Sequence, residues 1–312
     1  MEEDQKYTPL FKEMRKIRAN PLNKIRAELK KLKYNPNPFQ EMLLLQDLSR
    51  WAIRSQRISI AKIAIDYTLI IAKREHSISD ELTAMQLLAQ LHHIQKDWQK
   101  EVVTWIACKK LSTEFKDQLG YITASFQIGT ILYRNFQWMD AEEPYIDAIK
   151  AANEIKDRRA IADIATALGW LYIKTEKTSK AKEYIIYAEI IFKRLNLTTH
   201  LSFYLNQACL TYLDENYDDA IDTLNKALTI VINTRDIFSQ YDILFFLGII
   251  YRKLNKLIEA KACLTQIFQI CDQIPEFNHR DQITTALLEI NHLIEREYFG
   301  TRSNRLSFLY PP

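Results

Sequence analysis

Glycine and proline are scarce. Five glycines and eight prolines serve 312 residues, too few to turn the many short strands of a β-sandwich or barrel. No apolar run approaches the roughly 20 residues that a bilayer span requires. The longest candidate, Ile243 to Tyr251, falls far short, so no membrane insertion is expected. An excess of one charge is also missing: 42 Lys and Arg stand against 39 Asp and Glu, so the molecule as a whole is no polycation. The four cysteines, Cys108, Cys209, Cys263 and Cys271, form no Cys-x-x-Cys pair and read as reduced core thiols. The opening Met1-Glu2-Glu3-Asp4 is acidic, unlike the basic start of a signal peptide, and the cytoplasm is the expected compartment. Gly-rich phosphate loops, His-Glu-x-x-His and Gly-x-Ser-x-Gly are absent, so neither catalysis nor a cofactor is expected. His92-His93 are neighbours about 100° apart on a helix, a poor arrangement for one metal.

What is present is a repeat. Small residues recur at Ser49, Ala89, Gly129, Gly169, Ala208 and Gly248 in steps of 40 or 39. Twelve residues further on comes a second row: Ala61, Ala141, Ala181, Ala220 and Ala260. Seven beyond that lies a third: Cys108, Ala148, Ala188 and Ala227. Three aligned rows at one period are the signature of stacked units. Small residues let two amphipathic helices approach, and large apolar neighbours fill the flanks. One such unit cannot bury its apolar face alone, so units must stack.

Leu168-Gly169-x-x-Tyr172 with Ala181 and Ala188, and Leu247-Gly248-x-x-Tyr251 with Ala260, resemble the tetratricopeptide repeat. The chain departs from that pattern in four places. Ala165 and Leu244 stand at its first Trp position, and Ile185 and Leu264 at its Phe position. The longer period is similar to the repeats of kinesin light chains, Pins-type adaptors and Rap-type peptide sensors. The resemblance implies an all-α fold, a right-handed α-solenoid of stacked antiparallel helix pairs.

Three regions are expected. Residues 1–38 form a basic helical cap, in which residues 12–33 carry nine basic side chains against Glu13 and Glu28. Residues 39–298 hold six repeats and a closing helix. Residues 299–312 form an apolar tail, Leu306 to Pro312, expected to fold back on the stack, to dock on another chain, self-association included, or to stay disordered. In the second repeat Glu101 takes the place of the usual Ala. The basic cap admits a nucleic-acid reading that predicts steep salt dependence. Its few aromatics, Phe11 and Tyr34, argue against base stacking.

The resemblance also implies a concave groove lined by the first helix of each repeat. Carried over position by position, the groove residues are Arg50, Arg54, Gln86, Gln90, His93, Phe126, Thr130, Tyr133, Arg134, Thr166, Trp170, Lys174, Asn206, Tyr212, Phe245, Arg252 and Lys253. Arginines and aromatics together are what interface hot spots favour. Arg forks hold carboxylates, and amide side chains hold peptide backbone. The expected function is a non-catalytic scaffold that binds a partner's peptide segment with acidic and apolar residues. The alternative is a peptide-responsive sensor of Rap type.

Overall fold

The computed structural model describes residues 7–15, 20–32, 36–197, 200–273 and 283–295. The apolar tail expected at 299–312 lies outside them. The described residues form helices joined by short turns. Helices α1 (Thr8–Arg15) and α2 (Asn20–Leu32) precede six pairs. These are α3 (Pro38–Arg54) with α4 (Ile58–Arg74), α5 (Ile78–Ile94) with α6 (Trp98–Glu114), and α7 (Gln118–Arg134) with α8 (Trp138–Glu154). They continue as α9 (Arg158–Lys174) with α10 (Thr178–Arg194), α11 (Leu201–Leu213) with α12 (Tyr217–Thr234), and α13 (Ile237–Lys253) with α14 (Leu257–Gln273). A last helix, α15, spans 283–295.

The turns set this regularity. Each of α3 to α10 has 17 residues, about 25 Å of helix. A left-handed residue follows each at Gln56, His76, Lys96, Lys116, Phe136, Lys156, Glu176 and Asn196. After α10 the series continues at Glu215, Arg235 and Asn255. At Gln56 the closing bonds are Gln56 N–H to Ile53 O at 3.0 Å and Arg57 N–H to Ala52 O at 2.7 Å, the paired bonds of a Schellman motif. An Asp or Asn then often starts the next helix. The side chains of Asp97, Asp117, Asp157 and Asp236 accept from the N–H of Lys100, Gly120, Ala160 and Ser239 at 3.0–3.2 Å. One exposed donor of each new helix is thereby satisfied.

The contacts divide the chain into two compact units. The first is Met1–Tyr133 with Asp140–Lys156, and the second is Arg134–Met139 with Asp157–Pro312. In the first, Leu10, Met14, Leu22 and Leu29 of α1 and α2 are buried with Met42, Leu45, Leu48, Ile60 and Ile65 of the first pair. The two short helices therefore cover the apolar end of the pair, while Lys12, Lys24, Lys30 and Lys31 stay exposed. In the second unit, Ile290 and Ile294 of α15 pack on Leu257, Ala260, Tyr251 and Leu264.

The small-residue rows lie at the helix crossings. Ala61, Ala141, Ala181, Ala220 and Ala260, and Ala148, Ala188 and Ala227, are fully buried. A Cβ on Gly169 would stand 2.4 Å from Ile185 Cγ1, and one on Gly129 would stand 2.7 Å from the Tyr145 ring. The same atom on Gly248 meets only Cys263 Cβ, at 3.7 Å. In the second repeat Glu101 is buried at its crossing, where its Oε2 lies 3.1 Å from His93 Nδ1. That partner lets a carboxylate replace alanine.

Two outcomes follow for stability. Gly169→Ala should lower stability by about 1–3 kcal/mol through overpacking. Gly248→Ala should be neutral or raise it by up to about 1 kcal/mol through helix propensity; equal losses in both would contradict the packing described. At the turns, Gln56→Gly and Glu176→Gly should each raise stability by about 0.5–1 kcal/mol by relieving a left-handed side chain. Urea unfolding midpoints read both effects.

Candidate ligand-binding face

In the first unit the expected groove residues have diverse partners. Arg50 Nη1 pairs with Asp47 of its own helix at 3.0 Å. Arg54 and Gln90 are exposed and Gln86 is half-buried. His93 is turned to Glu101 of the paired helix. Phe126 packs 5.7 Å from the Tyr145 ring, and Tyr145 donates to Thr130 Oγ1 at 3.3 Å. Thr130 in turn donates to the Phe126 carbonyl at 2.9 Å. Phe126 and Thr130 are thus tied to α8, the partner helix of their own repeat. Tyr133 is half-buried.

The second unit is different. Its first helices, α9, α11 and α13, meet through side chains. The Trp170 ring of α9 lies edge-on to Phe246 of α13 at 5.1 Å, and Tyr212 of α11 lies against the same ring at 4.8 Å. Asn206 of α11 donates through Nδ2 to Thr166 Oγ1 of α9 at 3.0 Å, while Thr166 donates to the Ala162 carbonyl. Trp170, Thr166 and Asn206 are all buried, Asn206 completely. Trp170 also belongs to the core formed with Ala208, Leu244 and Leu247.

Cations sit on aromatic rings along this face. Lys174 Nζ is 3.8 Å from the centroid of the Phe245 ring and 3.8 Å from Asp242 Oδ1. Arg134, grouped with this unit, places its guanidinium 4.6 Å from the Phe238 ring. Lys253 lies 4.9 Å from Tyr217 and 5.6 Å from Tyr212. Arg252 is at 4.0 Å from Glu289 of α15. The Lys174 side chain is only 9% exposed, and burial pulls its pKa down, offset in part by Asp242. Beside it Cys209 is fully buried, which raises its thiol well above the ordinary range. Burial likewise pushes Cys108 to about 12 and Cys263 to about 11. These thiols are protonated and unreactive at neutral pH.

Two polar atoms in this cluster lack a partner: Trp170 Nε1, a donor, and Asn206 Oδ1, an acceptor. Sequence reasoning placed Thr166, Trp170, Lys174, Asn206, Tyr212 and Phe245 on one face. It missed Phe246 and Phe238. Phe246 lies 40 residues after Asn206, and that shared register was the available signal.

Residues 241–273, covering most of α13 and all of α14, match the family described as tetratricopeptide repeat. This segment is a tetratricopeptide repeat. No curated protein matches the chain. Among solved structures, aspartyl phosphate phosphatase F from Bacillus subtilis is 12% identical with a TM-score of 0.65. The match covers 79% of this chain and 63% of that one, so this chain spans less than two thirds of that protein's length. The apo form of RapI is 10% identical with a TM-score of 0.66, over 88% of this chain and all of that one. At such identities the likeness is one of fold: stacked tetratricopeptide-like helix pairs. Among the described residues no helix is long and apolar enough to cross a membrane.

The Lys174 environment gives a pH-dependent outcome. A lysine whose pKa is depressed on folding binds fewer protons when folded than when unfolded. Stability therefore rises as pH climbs from the depressed value towards the ordinary lysine value of 10.5. Lys174→Met should raise the thermal midpoint at pH 7, and its advantage should shrink as pH approaches 10.5. A destabilised variant at pH 7 would mean that the contacts with Phe245 and Asp242 outweigh desolvation.

Proposed function

We propose that the face formed by α9, α11 and α13 binds an extended peptide segment of a partner protein, with acidic and apolar residues. The observation that carries this reading is the pair of buried, unpartnered groups, Trp170 Nε1 and Asn206 Oδ1. Buried polar groups are nearly always satisfied, so an orphaned donor and acceptor on one face call for an explanation. A peptide main chain supplies both complements, a carbonyl for the indole N–H and an N–H for the amide oxygen. Lys174 and Arg134, held on ring faces, suit carboxylate side chains. Phe245 and Tyr212, both half-buried, suit apolar ones.

Both orphaned atoms are buried, so a peptide reaches them only by shifting the packing of the three helices. This favours a peptide-responsive regulator over a passive adaptor. The reading is non-catalytic: burial holds the thiol of Cys209 protonated, and a protonated thiol is a poor nucleophile. Four buried cysteines fit a reducing compartment, the cytoplasm.

The test is selection of peptides from a displayed random library on the full chain, followed by calorimetric titration of the enriched sequences. Acidic-apolar peptides should be enriched. Asn206→Ala and Arg134→Glu should each weaken binding by about tenfold or more, the loss of a hydrogen bond or ion pair at a desolvated site. Arg54→Glu, in the first unit, should not weaken it. An absence of enriched peptides, or equal affinity for all three variants, would refute the reading.

A further inference from the structure

The first unit contains a cleft of about 460 Å³ between the end of α6, the turn into α7 and the end of α8. Its volume lies in the range occupied by small-molecule sites. The repeat register shows why it exists. Ten residues beyond the second-row position stand Ile71, Leu111, Ile191, Ile230 and Ile270 in five repeats, and Ala151 in this one. The truncated side chain lines the cleft. Nearby, Ser112 occupies a position held elsewhere by Ala72, Ala152, Phe192, Val231 and Cys271. Its hydroxyl is buried and has no partner. Gly120 makes room for it, since a Cβ there would stand 2.4 Å from Ser112 Oγ and 2.3 Å from Asp117 Oδ2. A missing large side chain, an added hydroxyl and a glycine coincide at one place in an otherwise regular repeat.

We propose that this cleft binds a small zwitterion of the free α-amino-acid class. Two of its charges are committed within the fold. Asp147 accepts from Lys109 Nζ at 2.7 Å, with Lys109 also over the Tyr121 ring. Asp117 caps α7 through the Gly120 N–H. Lys116, Lys150 and Glu154 remain on the lining, two ammonium groups and one carboxylate. A ligand with a carboxylate and an amine answers both signs, and the Ser112 hydroxyl adds a hydrogen bond to its polar end. An ion of one sign would meet an uncompensated like charge at the rim. The site belongs to the first unit and does not depend on the peptide-binding reading.

The test is thermal unfolding of the full chain with each of the twenty L-α-amino acids. Succinate and ethanolamine serve as probes of one sign. At ten times its Kd, a bound amino acid should raise the midpoint of a chain of this length by about 2 °C. Ala151→Ile, which restores the residue usual at this position and fills the cleft, should abolish the shift, and Asn206→Ala should leave it intact. Ser112→Ala with Lys150→Glu is the second variant, should Ala151→Ile lose its helical circular dichroism; it too should abolish the shift. The proposal is overturned if no amino acid shifts the midpoint, if the shift survives in the folded variant, or if succinate or ethanolamine alone reproduces it.

Discussion

Two helices approach only as closely as the residues at their crossing allow, and in this protein most crossing positions are held by Ala, Gly, Ser or Cys. Ile185 lies where a Cβ on Gly169 would be. The large apolar residues on either side fill the remaining space. Every later feature depends on that close approach. It fixes which face of each helix is spent on its partner and which is left for the neighbouring repeat.

The turns complement the crossings. A left-handed residue recurs almost every twentieth position, and none of these residues is glycine. The steric cost of the conformation is met by paired Schellman bonds and by the N-cap that follows. Because the turns within and between repeats have the same form, the helices from α3 to α10 start at intervals of 20 residues. Such uniformity makes exceptions conspicuous. Glu101 at a crossing is matched by His93, and Ala151 in place of a large aliphatic opens a cleft.

The second unit shows how a repeat array gathers side chains of separate repeats onto one face. Thr166, Asn206 and Phe246 come from three successive repeats at intervals of 40 residues. Stacking brings them together around Trp170 and Tyr212. Core and face are continuous here: Trp170 contributes its ring to the apolar cluster while its indole N–H remains unpartnered. Lys174 is held by an aromatic ring and a carboxylate at comparable distance. Both partners favour the ammonium form against the desolvation that opposes it.

The helix pairs were legible in the sequence because small-residue spacing is a local property, imposed by the radius of a helix and repeated in every unit. The all-α class followed from the same rows and from the scarcity of glycine and proline. Half of the repeat's regularity went unread, since the Lys-Asp dipeptides at 96, 116 and 156 mark 20-residue turns that the 40-residue rows conceal. The face carrying Thr166, Trp170 and Lys174 was also visible, being one side of one helix. What no local rule revealed is the state of each group on that face. Burial of Asn206, the contact of Trp170 with a ring 76 residues away and the perch of Lys174 on Phe245 arise when three helices close on one another. Sequence by itself determined where each helix begins, ends and crosses its partner. Tertiary packing alone decided which polar atoms were left without a partner, because that depends on the distances between side chains of separate repeats.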